Sequence, residues 1–156
     1  MGIQLDADER WDFLERHMVM RLATVDPRGY PHVTPIWYRA DRDYGNVYFS
    51  TPEDTRKVRD VEAFPEVSLT VDEGEYYFDL TAVVVEGTVS VVDDAEERET
   101  VETAWCRKYF DQPTRPEFMD LLYQGRPWEW YRVEPSRWLS WHNADIDLDR
   151  LRAARG

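Results

Sequence analysis

Short runs of β-branched and aromatic residues, each closed by turn chemistry, constrain this chain more than any other feature. "VMRLATV" (19–25) is followed by "DPRGYP" (26–31), where Pro27 and Gly29 suit a tight turn. "HVTPIWYRA" (32–40), the turn "DRDYGN" (41–46) and "VYFST" (47–51) continue the pattern. "EVSLTVD" (66–72) and "TAVVVEGTVSVVD" (81–93) read as two further strands, and "WEWYRVEPSRWLSW" (128–141) as a strand pair broken at Pro135. Helices are few. Asp6 and Glu9 have the spacing of a capping box for a helix over 6–17; another follows the strand 47–51 and runs to about Ala63, and 94–110, 115–125 and a short tail from Asp147 complete the set. Hairpin-linked strands with few inserted helices predict an antiparallel barrel of the α+β class, mainly β, in one domain over 1–156.

Charge narrows the partners. Acidic residues number 32 against 19 basic ones, a formal net charge of -13. Such a surface repels nucleic acid and anionic lipid, so neither is expected as a partner. No apolar run reaches the length of a membrane span, and the opening "MGIQLDADERWDF" is too acidic for a signal peptide. With one cysteine, Cys106, no internal disulfide forms, and the expected compartment is the cytoplasm. An acid-rich chain with 17 arginines and two lysines has the composition of proteins from salt-loving archaea.

Most familiar chemistry is missing. There is no glycine-rich dinucleotide loop, P-loop, C-x-x-C or H-E-x-x-H, and His17, His32 and His142 lack metal-ligand spacing. Cys106 beside Trp105 reads as a small packed residue. Without a defensible nucleophile, any redox activity requires a cofactor.

"STPEDTRKVRD" (50–60) is the segment that points to one. Ser50 or Thr51 can cap a helix, Pro52 suits its first position, and Glu53 and Asp54 favour the positive end of its dipole. Yet Arg56 and Lys57 follow at once, where the dipole disfavours cations. Strand-end hydroxyls, free N–H groups at a helix start and adjacent cations suit a phosphate. The competing reading is a solvated face carrying the i,i+4 pairs Glu53–Lys57 and Arg56–Asp60. Both stay open on the residues alone.

Taken in order, "RLATVDPRGYPHVTPIWY", "VYFST", "TRKVRDVEAFPEVSLTVD" and "VVVEGTVSVVDD" resemble the pyridoxamine 5′-phosphate oxidase-related family of flavin-binding split β-barrels. The likeness covers residues 12 to 93 well and the C-terminal third loosely. It implies an antiparallel split β-barrel with a few flanking helices, a homodimer with sites at its interface, and FMN or the deazaflavin coenzyme F-420 bound noncovalently. It implies that Ser50 and Thr51 at the strand end, Thr55, Arg56 and Lys57 hold the cofactor phosphate. Thr34, Pro35, Ile36 and Trp37 match the segment whose backbone borders the ring, and Arg39 aligns with a basic position at its end. Thr34 stands where pyridoxamine-phosphate oxidases carry an arginine, and their C-terminal arginine–histidine motif has no counterpart here. "PHVTPIWY", "VVVEGTV" and "VEPSRWLSW" look closer to the deazaflavin-dependent branch. The resemblance thus implies hydride transfer to or from a small organic substrate, with a flavin-binding carrier as the alternative. An acidic F-420 tail would need Arg59, Arg107, Lys108 or Arg115 along its path. Most C-terminal tryptophans read as core or dimer packing; Trp138 is the one expected beside the ring.

Overall fold

In a computed structural model, which describes residues 4–154, the chain forms one seven-stranded antiparallel sheet. In chain order the elements are α1 (Ala7–Arg16), β1 (Val19–Val25), β2 (Pro31–Trp37), β3 (Arg39–Asp41), β4 (Asn46–Pro52), α2 (Arg56–Ala63), β5 (Glu66–Glu73), β6 (Thr81–Val91), α3 (Ala95–Phe110), α4 (Glu117–Leu122), β7 (Trp128–His142) and α5 (Leu148–Ala153). Across the sheet the strands run β2-β1-β5-β6-β7-β4-β3. Although four strands separate β2 from β4 in that order, the sheet curls until the two approach each other. No ladder joins them. This open seam makes the barrel split, as the sequence led us to expect.

Two apolar clusters fill the molecule. The barrel interior holds Leu14, Met20, Leu22, Phe49, Leu69, Val71, Val83 and Val85, all almost fully buried. A second cluster beneath α3 packs Val101, Trp105 and Cys106 against Tyr48 and Trp130. Cys106 is therefore a buried core residue, and burial pushes its thiol pKa up. The first helix starts as its sequence dictates: Asp6 Oδ1 accepts from Glu9 N at 2.9 Å, while Asp6 N donates to Glu9 Oε2 at 2.7 Å.

Three expected boundaries shift. The run 32–40 breaks at Tyr38, which turns its ring into the core and donates its hydroxyl to Leu14 O at 2.6 Å. The Tyr109 hydroxyl binds both Tyr38 N and Tyr38 O at 2.9 Å, satisfying the peptide groups that the break would orphan. Arg39 consequently starts β3, at the far edge of the sheet. The segment 128–141 forms one strand instead of two. Gly87 pairs with Pro135 and Glu86 with Arg137, so Ser136 is the extra residue of a bulge, where a proline's missing N–H costs nothing. Third, Pro52 remains in β4, paired with Trp128, and α2 starts at Arg56.

Candidate functional site

Side chains from the β2–β4 seam, the start of α2, and α3 and α4 surround a cavity of about 520 Å³. Thr34, Pro35, Ile36 and Trp37 of β2 form one wall; Ser50, Thr51, Thr55 and Lys57 come from the β4–α2 junction. As an edge strand, β2 pairs only with β1, so its outward backbone groups are free of ladder bonds. Trp37 stacks on Tyr109 with ring centroids 4.4 Å apart, which fixes the end of this wall.

The later start of α2 alters the electrostatics of the junction. Thr55 is the N-cap, but its side chain makes no capping bond, so the first-turn N–H groups lack a side-chain acceptor. Arg56 and Lys57 become the first two helical residues, at the positive end of the dipole. Lys57 Nζ donates to Thr51 Oγ1 at 3.2 Å, and the Thr51 and Thr55 hydroxyls are hydrogen-bonded at 3.4 Å. Among the described residues Lys57 pairs with no carboxylate: Glu53 lies before the helix, outside any i,i+4 relation within it. Burial, and then the charge of Arg126, pull the Lys57 ammonium below its ordinary pKa. Arg126 lines the same cavity and pairs with Asp54, whose carboxyl it holds below the usual range.

Arg56 points elsewhere. Its guanidinium hydrogen-bonds His32 Nε2 and lies 4.0 Å from Asp26 Oδ2, outside the cavity lining. His32 Nδ1 is 2.9 Å from Asp60 Oδ2, and Thr24 Oγ1 donates to the same oxygen at 2.7 Å. Asp60 is thus a buried acceptor, and the second expected i,i+4 pair is absent as well. Asp26 accepts from Tyr30 N and Arg28 N, each at 2.9 Å, and these bonds with the Arg28 guanidinium hold its pKa at about 2.

Arg39 and Trp138 also lie away from the cavity. Arg39 is 3.5 Å from Asp41, and its Nε is buried without a partner. Trp138 lines a separate cavity, where it meets Trp11 edge-on at 5.0 Å and Arg10 at 5.4 Å. Of the cations considered for an acidic tail, Arg59 donates to Asp54 O at 3.1 Å and Lys108 to the carbonyls of His17 and Tyr38. Burial pulls Lys108 down to about 8. Arg115 is turned inward beside Ser50.

Sequence reasoning missed the wall opposite β2. Trp105, Phe118, Met119, Leu122, Tyr123 and Trp128 supply it, with Arg126 at one end. A usable signal existed: the 115–125 segment leaves Phe118, Leu121 and Leu122 exposed, more apolar surface than a six-residue helix needs to cover a core. Among the described residues no cluster of three or more His, Cys, Asp or Glu side chains could hold a metal, and no helix is long and apolar enough to cross a membrane.

A family model described as pyridoxamine 5′-phosphate oxidase matches residues 7–142. No curated protein matches the chain. Several solved structures share its fold. A conserved hypothetical protein from Mycobacterium tuberculosis is 24% identical, with a TM-score of 0.76 over 91% of this chain and 88% of that one. An FAD-binding protein from Mesorhizobium loti is 22% identical, with a TM-score of 0.67 over 90% and 94%. An F-420 reductase is 24% identical, with a TM-score of 0.61 over 82% and 94%.

Proposed function

The chain belongs to the pyridoxamine 5′-phosphate oxidase family, and from that premise we propose that it binds FMN or the deazaflavin coenzyme F-420 in the β2–β4 cavity and acts as an oxidoreductase. The observation that carries this reading is the meeting of Lys57 and Arg126 with the Thr51 and Thr55 hydroxyls and the uncapped first turn of α2. A half-buried lysine with no carboxylate partner, an arginine beside it and an uncapped helix start are what a phosphate needs, and burial beside Arg126, which lowers the Lys57 pKa, leaves that ammonium favouring an anion. The volume of about 520 Å³ suits an organic cofactor. The FAD-binding protein and the F-420 reductase of the same fold agree with a flavin-type ring.

Such a ring, when bound, supplies two-electron hydride chemistry. The chain's part is binding and placement. Lys57, Arg126 and Thr51 hold the phosphate, the edge backbone of Thr34–Trp37 borders the ring, and the aromatic wall from α3 and α4 excludes water. No carboxylate or imidazole is among the described residues lining the cavity, so proton transfer from a side chain is not assigned. The second reading is a flavin carrier without turnover. The substrate is a small organic molecule; Thr34 in place of a phosphate-binding arginine argues against pyridoxamine phosphate.

Mass spectrometry of the copurifying ligand should identify FMN or F-420. Lys57→Ala should then weaken FMN about ten- to a hundred-fold and leave riboflavin, which has no phosphate, nearly unchanged. Equal FMN affinity in both proteins would move the phosphate site elsewhere. Turnover with a panel of electron donors and quinones separates the enzyme from the carrier.

A second copy of the chain is proposed to complete the site, because Val33 and Trp37 on the β2 edge and Leu121 and Leu122 on α4 expose apolar surface around the cavity. Light scattering at high salt should give a dimer mass; a monomer at micromolar concentration overturns this. If the acidic composition reflects a salt-rich cytoplasm, the unfolding temperature should rise from low to molar salt, as screening shortens the range of repulsion from about 30 Å to about 3 Å.

A further inference from the structure

Arg115 sits where a charged residue needs a reason. Its guanidinium lies among the rings of Trp128, Trp105 and Trp130, at 4.7, 5.2 and 5.7 Å from their centroids. Arg115 Nε donates to Glu102 Oε1 at 2.8 Å, and Trp130 Nε1 donates to Glu102 Oε2 at 3.1 Å. The remaining contact reaches the cavity: Arg115 Nη2 donates to Ser50 Oγ at 2.8 Å.

That bond fixes what Ser50 does. A hydroxyl has one hydrogen and two lone pairs. Because Ser50 Oγ already accepts from a guanidinium that has no acceptor capacity, its own hydrogen must point elsewhere. Among the described residues no acceptor takes it, and Ser50 lines the cavity. The surroundings share the imbalance. Arg115 Nη1 and the indole N–H groups of Trp105 and Trp128 are buried without partners. These donors are themselves buried and Arg115 does not line the cavity, so the Ser50 hydroxyl is the hydrogen-bonding group of this cluster that reaches it.

Strand geometry separates this end from the proposed phosphate site. Adjacent residues of β4 face opposite sides of the sheet, so Thr51 turns to Lys57 while Ser50 turns to α3 and Arg115. We infer that Ser50, held by Arg115 and Glu102, forms a donor subsite for a neutral acceptor of the ligand, a carbonyl oxygen or ring nitrogen of the tricycle rather than its phosphate. Arg115 is a positioning residue here: it acts through Ser50. The inference rests on the flavin reading and deepens it.

Titration of FMN and riboflavin, with F-420 as a third probe, into native protein and variants tests it. Ser50→Ala should weaken FMN and riboflavin by the same factor, about two- to twelve-fold, whereas Lys57→Ala affects FMN alone. The absorption band of bound FMN should shift in Ser50→Ala and stay in place in Lys57→Ala, a signature that a packing defect would not give. Arg115→Lys should reproduce part of the Ser50→Ala loss, and the double variant should be no weaker than Ser50→Ala, because both changes remove one interaction. Ser50→Ala keeps the chain foldable should Arg115 prove structurally indispensable. Unchanged affinity and spectrum in Ser50→Ala would overturn the subsite while leaving the Lys57-dependent phosphate reading intact. Loss of FMN affinity with riboflavin unchanged would reassign Ser50 to the phosphate. If none of the three probes binds native protein, the flavin reading falls and the subsite with it.

Discussion

The molecule holds two cavities of about the same size, about 520 Å³ each, and they differ in almost everything else. The first opens at the seam between β2 and β4 and gathers the Ser50, Thr51 and Thr55 hydroxyls with Arg126 and with Lys57, which pairs with no carboxylate among the described residues. The second lies beside Trp138, Ser140 and Trp141; there Arg10 rests over the Trp138 ring, Ser140 Oγ accepts from Leu5 N at 3.1 Å, and Asn143 Nδ2 donates to Tyr77 O at 2.6 Å. Volume alone does not make a site. Unmatched donors and charges do, since burying them without a partner costs free energy that a ligand can recover.

Strand β7 joins the two cavities, with Trp128 in the first and Trp138 in the second, and its bend at the bulge is held by Gly87. A Cβ at Gly87 would collide with the Glu134 carbonyl and sit 2.9 Å from Val133 Cγ1. Gly87→Ala should therefore lower stability by about 1–3 kcal/mol in denaturant titration. If the bend transmits strain both ways, FMN affinity should fall as well. A variant as stable as native protein would refute this account of the bulge.

Next in size is the contrast between the arginines. Arg126→Ala should weaken FMN about tenfold, near 1.4 kcal/mol, while Arg10→Ala should leave it unchanged. Equal effects would erase the distinction between the cavities. Trp138→Leu comes third. Removing the edge-on contact with Trp11 should cost about 1 kcal/mol of stability with no change in FMN binding. A weakened cofactor would bring Trp138 back beside the ring.

The smallest effect concerns the polar cluster of Asp26, Arg28, His32 and Arg56, outside the lining of the first cavity. Asp26, held at about 2 against an ordinary 3.8, contributes stability that is complete above the ordinary value and is lost as pH falls towards 2. Asp26→Asn should thus be less stable than native protein at pH 7, with the gap closing between pH 4 and pH 2. A gap constant across that range would mean the carboxylate's charge is not what matters there.

Much of this was legible in the residues. Period-two patterning and turn chemistry place four strands, 19–25, 47–51, 66–72 and 81–93, close to their observed limits, and the capping residue Asp6 starts α1. The sequence points to the segments 34–37 and 50–57, and nine residues from them line one cavity: Thr34, Pro35, Ile36, Trp37, Ser50, Thr51, Pro52, Thr55 and Lys57. The boundaries that failed involved partners distant in sequence. Tyr109 releases Tyr38 from the strand, and Trp128 keeps Pro52 in β4.

By itself, then, the sequence determined the strand-rich architecture and the presence of a basic, hydroxyl-bearing junction, because both depend on spacing along the chain. Tertiary structure decided which of those side chains share a space. Arg56 and Lys57 are neighbours, but successive helical residues point about 100° apart. Once α2 starts at Arg56, Lys57 faces the cavity and Arg56 faces His32. Likewise, the closure that brings β2 to β4, and the turn that sets Arg115 behind Ser50, come from the curl of the sheet and the packing of α3 and α4. Such contacts join residues far apart in the chain, and local periodicity carries no information about them.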